Sequence, residues 1–116
     1  DGTLEPGPHR ATPPCRHFGL CGGCELQHCD EDSLADFVSS RVVNAASGQG
    51  LESQTVAPAH LSPTCSRRRA TLHAARMGGR IVIGFREGGS HRIVDMAECH
   101  VLQPELFELV APLRAM

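Results

Sequence analysis

Apolar and polar positions follow two different periods along this chain. Leu34, Phe37, Val38, Val42 and Ala45 recur at helical spacing, preceded by Asp30-Glu31-Asp32-Ser33, which offers a cap and an acidic first turn. This predicts a helix over about 31–47, ended by Gly48 and Gly50. Residues 51–59 read as a loop with one short strand around 54–57. From Arg67 the period changes to two: Ala70, Leu72 and Ala74 alternate with Thr71, His73 and Ala75. Met77-Gly78-Gly79-Arg80 then supplies the turn of a β-hairpin. The returning strand, 81–86, places Ile81, Ile83 and Phe85 on one face, and Gly88-Gly89 turns the chain into a third strand, 91–96. Pro104, at a first-turn position, starts another helix. Its stripe of Leu106, Leu109, Val110 and Leu113 is interrupted or restarted at Pro112. The expected fold is α+β: a small antiparallel sheet of three or four strands with two helices and a cysteine-rich loop.

Residues 1–14 carry four prolines and two glycines and are expected to form a linker, leaving 15–116 as the domain. No apolar run approaches the roughly 20 residues that cross a bilayer, and the first residues have no signal-peptide pattern. The expectation is a cytoplasmic piece of something longer, with no membrane partner. Charge is unevenly spread. Residues 67–92 hold seven arginines and one acid, Glu87, whereas both flanks are net acidic. The chain has no lysine, so every fixed cation is a guanidinium suited to bidentate phosphate contacts. Arg67, Arg69, Arg86 and Arg92 are the candidates for RNA contact, with Arg67 and Arg69 on one strand face and Arg68 on the other.

Six cysteines without a secretory signal suggest metal before disulfide. Cys15, Cys21 and Cys24 have C-x5-C-x2-C spacing, which can bring three thiolates round one point. Gly22 and Gly23 let the backbone approach and donate N–H groups to sulfur. That suits an iron–sulfur cluster as well as zinc, and Cys29, Cys65, Cys99 or a histidine could be the fourth ligand. His17 and His28 are expected to bond backbone rather than metal, Phe18 to cover the site, and Cys29 and Cys65 to be small buried thiols.

The stretch Cys15-Arg-His-Phe-Gly-Leu-Cys21-Gly-Gly-Cys24-Glu-Leu-Gln-His28 resembles the cluster loop of bacterial RNA (uracil-5-)-methyltransferases that modify 23S ribosomal RNA. Arg67-Arg68-Arg69-Ala70-Thr71-Leu72 resembles that family's Arg-rich strand. Gly84-Phe85-Arg86-Glu87 through Ser90-His91-Arg92-Ile93-Val94-Asp95 resembles its hairpin, and Cys99-His-Val-Leu-Gln-Pro104 the segment with the last cluster cysteine. The resemblance implies a 4Fe-4S cluster on Cys15, Cys21, Cys24 and Cys99. It also implies a central iron–sulfur and RNA-recognition domain between the parent's own N-terminal RNA-binding barrel and its C-terminal S-adenosylmethionine domain. The partner it implies is ribosomal RNA, and the parent reaction is formation of 5-methyluridine. Where the family often has a further arginine, this chain has Thr71.

Methylating C5 of uracil needs a thiolate to add at C6 beside a methyl-donor pocket. Gly48-Gln49-Gly50 lacks the third glycine of a cofactor fingerprint and follows a helix instead of a strand. No catalytic residue is assigned, and S-adenosylmethionine is expected only in the parent. A zinc-binding interaction module and an electron-transfer domain are the alternatives, although the ferredoxin pattern C-x2-C-x2-C-x3-C-P is missing.

Overall fold

Helix α1, Glu31–Ser47, forms where the cap chemistry places it. The Asp30 carboxylate accepts the Ser33 amide at 2.8 Å, and two acids occupy the first turn. At the far end Leu51 N–H donates to Ala46 O and Gly50 N–H to Ser47 O, the paired bonds of a Schellman stop. Gly50 sits at φ +72°, the left-handed geometry this stop requires. The computed structural model describes residues 5–116; the first four residues of the expected linker lie outside the described residues.

Packing divides the described residues into two compact units, one comprising residues 5–12 and 28–62, the other 13–27 and 63–116. In the first, Arg10 bridges Cys29 antiparallel, Ala11 N–H donates to His28 O and Asp30 N–H to His9 O. Part of the stretch expected as linker is thus paired to the segment that leads into α1. The apolar stripe of α1 is not buried. Phe37, Val38 and Val42 are exposed, and α1 contains no buried residue. Residues 53–59 lie beside Val38, Val42, Val43 and Ala46 and line a shallow groove with them. They form no strand, contrary to the expectation for 54–57.

The Asp30 carboxyl is held below its ordinary value of 3.8, first by the Ser33 amide and then by the His9 side chain. A lowered acid stabilises the fold fully above its unfolded value and loses that contribution as pH falls through the folded one. Helical circular dichroism is therefore expected to hold down to about pH 4 and to decline only in stronger acid. Asp30→Ala should lose helix signal already at neutral pH, and Asp30→Asn, which still caps, should keep most of it.

The second unit is built on the hairpin of β1, His73–Met77, and β2, Arg80–Gly84. Gly78 and Gly79 both have positive φ, which gives a two-residue turn matching strand twist. Ile83, Met96, Leu102 and Val110 form the core, with Leu72, Ile81, Phe85, Cys99 and Phe107 packed against it. The shared face of Ile81, Ile83 and Phe85 is as expected. Val82, on the opposite face, is also buried, at 3% exposure, so β2 is covered on both sides.

The third strand over 91–96 does not form as a regular ladder, and the sheet has two strands. Glu87 N–H donates to Arg92 O, Val94 N–H to Phe85 O and Met96 N–H to Ile83 O, with one isolated bridge between Arg86 and Ile93. The segment follows β2 through these bonds without continuous pairing. The helix from Pro104 is also realised in pieces, α2, Pro104–Glu108, and α3, Val110–Ala115. Pro112 has no amide proton for the Glu108 carbonyl, and its ring crowds that carbonyl, so the break falls at Leu109, before the proline itself.

Candidate metal centre and basic surface

Cys15, Cys21, Cys24 and Cys99 line one pocket, together with His17, Gly23, Gln27, Phe85, Met96, Glu98, His100 and Val101. The loop carrying the first three cysteines docks on the hairpin by backbone bonds. Gly22 N–H donates to Arg86 O at 2.8 Å, Gly88 N–H donates to Leu20 O at 3.1 Å, and Cys21 bridges Glu87. Gly23 is required by a close approach, since a Cβ there would stand 2.8 Å from the Phe85 ring. Cys99 reaches the pocket from the segment that runs along the core.

Three of the four sulfurs receive an N–H group. Gly23 N–H donates to Cys21 Sγ at 3.4 Å, the Gln27 side-chain amide to Cys24 Sγ at 2.9 Å, and Leu102 N–H to Cys99 Sγ at 3.4 Å. At Cys15 the His17 backbone amide favours the thiolate and partly offsets the effect of burial. Burial pushes the Cys15 and Cys24 thiols above the ordinary value of 9.0, and the neighbouring cysteines add to this by charge repulsion. A ligand that binds thiolates must therefore displace protons, while the N–H groups are already in place to stabilise negative sulfur. Among the described residues, no group of three or more His, Cys, Asp or Glu side chains could hold a metal ion as the side chains stand.

The segments beside Cys15 and Cys99 are tied by side chains. Arg16 donates its amide to Glu98 Oε1 at 2.7 Å and its Nε to Glu98 Oε2 at 3.0 Å. His17 Nε2 accepts the Ala97 amide at 3.1 Å, a backbone role as expected. Phe85 and Met96 supply the apolar wall; Phe18, expected to cover the site, lies outside this lining. Cys65 also lies outside it, at φ +55° with its amide on His100 O, and Cys29 is paired to Arg10 in the other unit. Both are half-buried, more accessible than the buried thiols expected.

The arginines divide by what they touch. Arg67 donates Nη1 to the Gly23 carbonyl at 3.1 Å, its amide bonds Val101 O, and its carbonyl accepts from Gln103 N–H. Nothing in the period-two pattern pointed to this use of Arg67, because its acceptor is a backbone oxygen. Arg92 faces Glu87 at 3.5 Å and Arg80 faces Asp95 at 3.8 Å. Arg114 bonds Asp95 at 2.7 Å and Met96 O at 3.0 Å. Arg68, Arg69, Arg76 and Arg86 are exposed and have no acidic partner among the described residues. No described helix is long and apolar enough to cross a membrane.

The sequence of this chain is similar to that of named bacterial proteins. An RNA methyltransferase of Zymomonas mobilis is 42% identical over 115 residues, which span 99% of this chain and 29% of the relative. The chain is a homologue of one segment of bacterial RNA methyltransferases. Two of these relatives are more closely defined: the 23S rRNA (uracil(1939)-C(5))-methyltransferases RlmD of Psychrobacter arcticus and Chromohalobacter salexigens. Each is 38% identical to this chain, over 92% and 97% of it and 22% and 24% of the relative. The chain thus spans about a quarter of the length of the curated relatives it matches. No family model matches it.

Proposed function

We propose that this chain is the central iron–sulfur and RNA-recognition domain, over 15–116, of an S-adenosylmethionine-dependent RNA (uracil-5-)-methyltransferase that forms 5-methyluridine in ribosomal RNA. The observation that carries the reading is the selection made at the pocket: Cys15, Cys21, Cys24 and Cys99 line it, three of the sulfurs with an N–H donor, and Cys29 and Cys65 do not line it. This donor set suits a 4Fe-4S cluster. Bound there, the cluster would supply the positive charge that lets four thiolates share a site and would cross-link the first cysteine loop to the segment after the hairpin. The chain's own residues do the rest. Gly23, Gln27, Leu102 and His17 stabilise the sulfurs, and Phe85 and Met96 exclude water. The methyl donor and the attacking thiolate belong to other domains of a cytoplasmic parent enzyme.

RNA contact falls to the arginines left free. Arg69 and Arg86 keep the role expected from the sequence, Arg68 and Arg76 join them, and Arg67 is engaged at the cysteine loop. Each neutralised phosphate contributes about 0.7 to the salt slope of single-strand binding. Replacing Arg69 and Arg86 together by alanine is expected to flatten the slope for a ribosomal RNA loop by about 1.4, and replacing Arg114 should leave it unchanged. Equal slopes for the double variant and the unmodified chain, in a titration from low to moderate salt, would remove RNA recognition from this surface.

A further inference from the structure

Cys15 and Cys99 are 84 positions apart, yet they line the same pocket. Among the described residues, no backbone-to-backbone hydrogen bond joins residues 13–27 to residues 95–103. The direct connection is made by side chains immediately beside the two cysteines, and Arg67 adds an indirect one between Gly23 O and Val101 O. Arg16, next to Cys15, uses both its amide and its Nε on the carboxylate of Glu98, next to Cys99. One residue further along each segment, His17 Nε2 takes the Ala97 amide. Both Glu98 oxygens are engaged by Arg16, and the His100 ring stands 3.5 Å from Oε1. Glu98 is therefore engaged by Arg16 while it also lines the pocket.

We propose that Arg16, His17 and Glu98 form a clasp that sets the Cys15 to Cys99 separation before any metal binds, making them positioning residues of the cysteine site. The clasp substitutes for a strand pairing that the sequence between Cys15 and Cys21 does not form. A charge-assisted, two-point contact fixes orientation as well as distance, which a single neutral bond would not. An assembled set of thiols lowers the ordering cost of metal capture. The inference rests on the iron–sulfur reading only for the identity of the metal, since the clasp contacts involve this chain's residues alone.

The test is bridging of the metal-free chain by dibromobimane, which links only cysteines held close together, followed by peptide mapping. The unmodified chain should give a Cys15–Cys99 bridge. Glu98→Ala should form it roughly tenfold more slowly, as expected for loss of a charge-assisted hydrogen bond. Glu98→Gln, which keeps an acceptor for the Arg16 amide, should fall between them. Should Glu98→Ala lose its circular dichroism, Arg16→Met carries the test, because it deletes only the Nε contact, and it too should slow bridging. No bridge in the unmodified chain, or bridging at an undiminished rate in the folded variant, overturns the clasp. A second arm loads each protein with iron and sulfide anaerobically and follows loss of visible absorbance to a chelator, which should be faster for Glu98→Ala. If the unmodified chain bridges as expected but retains no iron, the clasp stands and the iron–sulfur reading falls.

Discussion

Cys99→Ser is expected to strip the chain of iron and to lower its melting temperature in the same variant, the largest single loss predicted for this molecule. Cys24 and Cys99 lie 75 positions apart, and both line the pocket. A cross-link closing a loop of that length restricts the unfolded chain by about 4 kcal/mol, which corresponds to a shift of roughly 15 °C for a domain of this size. Metal affinity not captured by loop closure would add to this. Serine nearly matches cysteine in volume, so the contact that Cys99 makes with the core of Ile83, Met96, Leu102 and Val110 contributes less to the loss. Cys29→Ser and Cys65→Ser should retain iron, because neither residue lines the pocket. Iron loss from either of these with retention in Cys99→Ser would reassign the fourth ligand. The measurements are iron content after anaerobic loading and thermal unfolding of the same samples.

Gly84→Ala is expected to destabilise the chain by about 3 kcal/mol with or without metal. A Cβ at Gly84 would collide with the Val94 carbonyl oxygen and would lie 3.1 Å from the Met96 Cβ. That carbonyl cannot retreat freely, because Val94 N–H is bonded to Phe85 O at 2.8 Å and Met96 N–H to Ile83 O at 3.0 Å. The obstacle is backbone, so relief requires the 91–96 segment to lift off the hairpin and uncover the buried Val94 and Met96. Gly88→Ala, with nothing within 4 Å of its added Cβ, is the matched control and should change stability by less than about 0.5 kcal/mol. Equal denaturant midpoints for the two variants would show that the close approach at Gly84 has no energetic consequence.

The parts of this fold that were legible in the sequence are those fixed by local chemistry. Helix α1 begins at Asp30 and stops at the glycines because caps act within one turn. The hairpin follows from Gly78-Gly79, which only one type of turn accommodates easily. The third strand misled because period-two patterning reports alternation, not continuous pairing. The close approach of the Val94 carbonyl to Gly84 involves a backbone group and a missing side chain, neither of which has a hydrophobic signature. Amphipathic spacing likewise gave α1 an apolar face but said nothing of what would cover Phe37, Val38 and Val42.

At the cysteine site, spacing alone grouped Cys15, Cys21 and Cys24. The fourth position came from resemblance, because the 74 intervening residues carry no local signal. The Arg16–Glu98 pair and the Arg67 contact with Gly23 were illegible for the same reason: their partners are 82 and 44 residues away. Arg67 thus has an acceptor within the fold that its basic stretch did not signal. An arginine in a basic stretch reads as a phosphate ligand until an acceptor is found within the fold.

Whether the four cysteines hold an iron–sulfur cluster is decided by metal and acid-labile sulfide analysis of the anaerobically loaded chain alongside its visible spectrum. Iron and sulfide should be found in equal amounts, with broad charge-transfer absorption that Cys99→Ser abolishes. Stoichiometric zinc with a colourless spectrum, or a folded chain that takes up no metal, would contradict it.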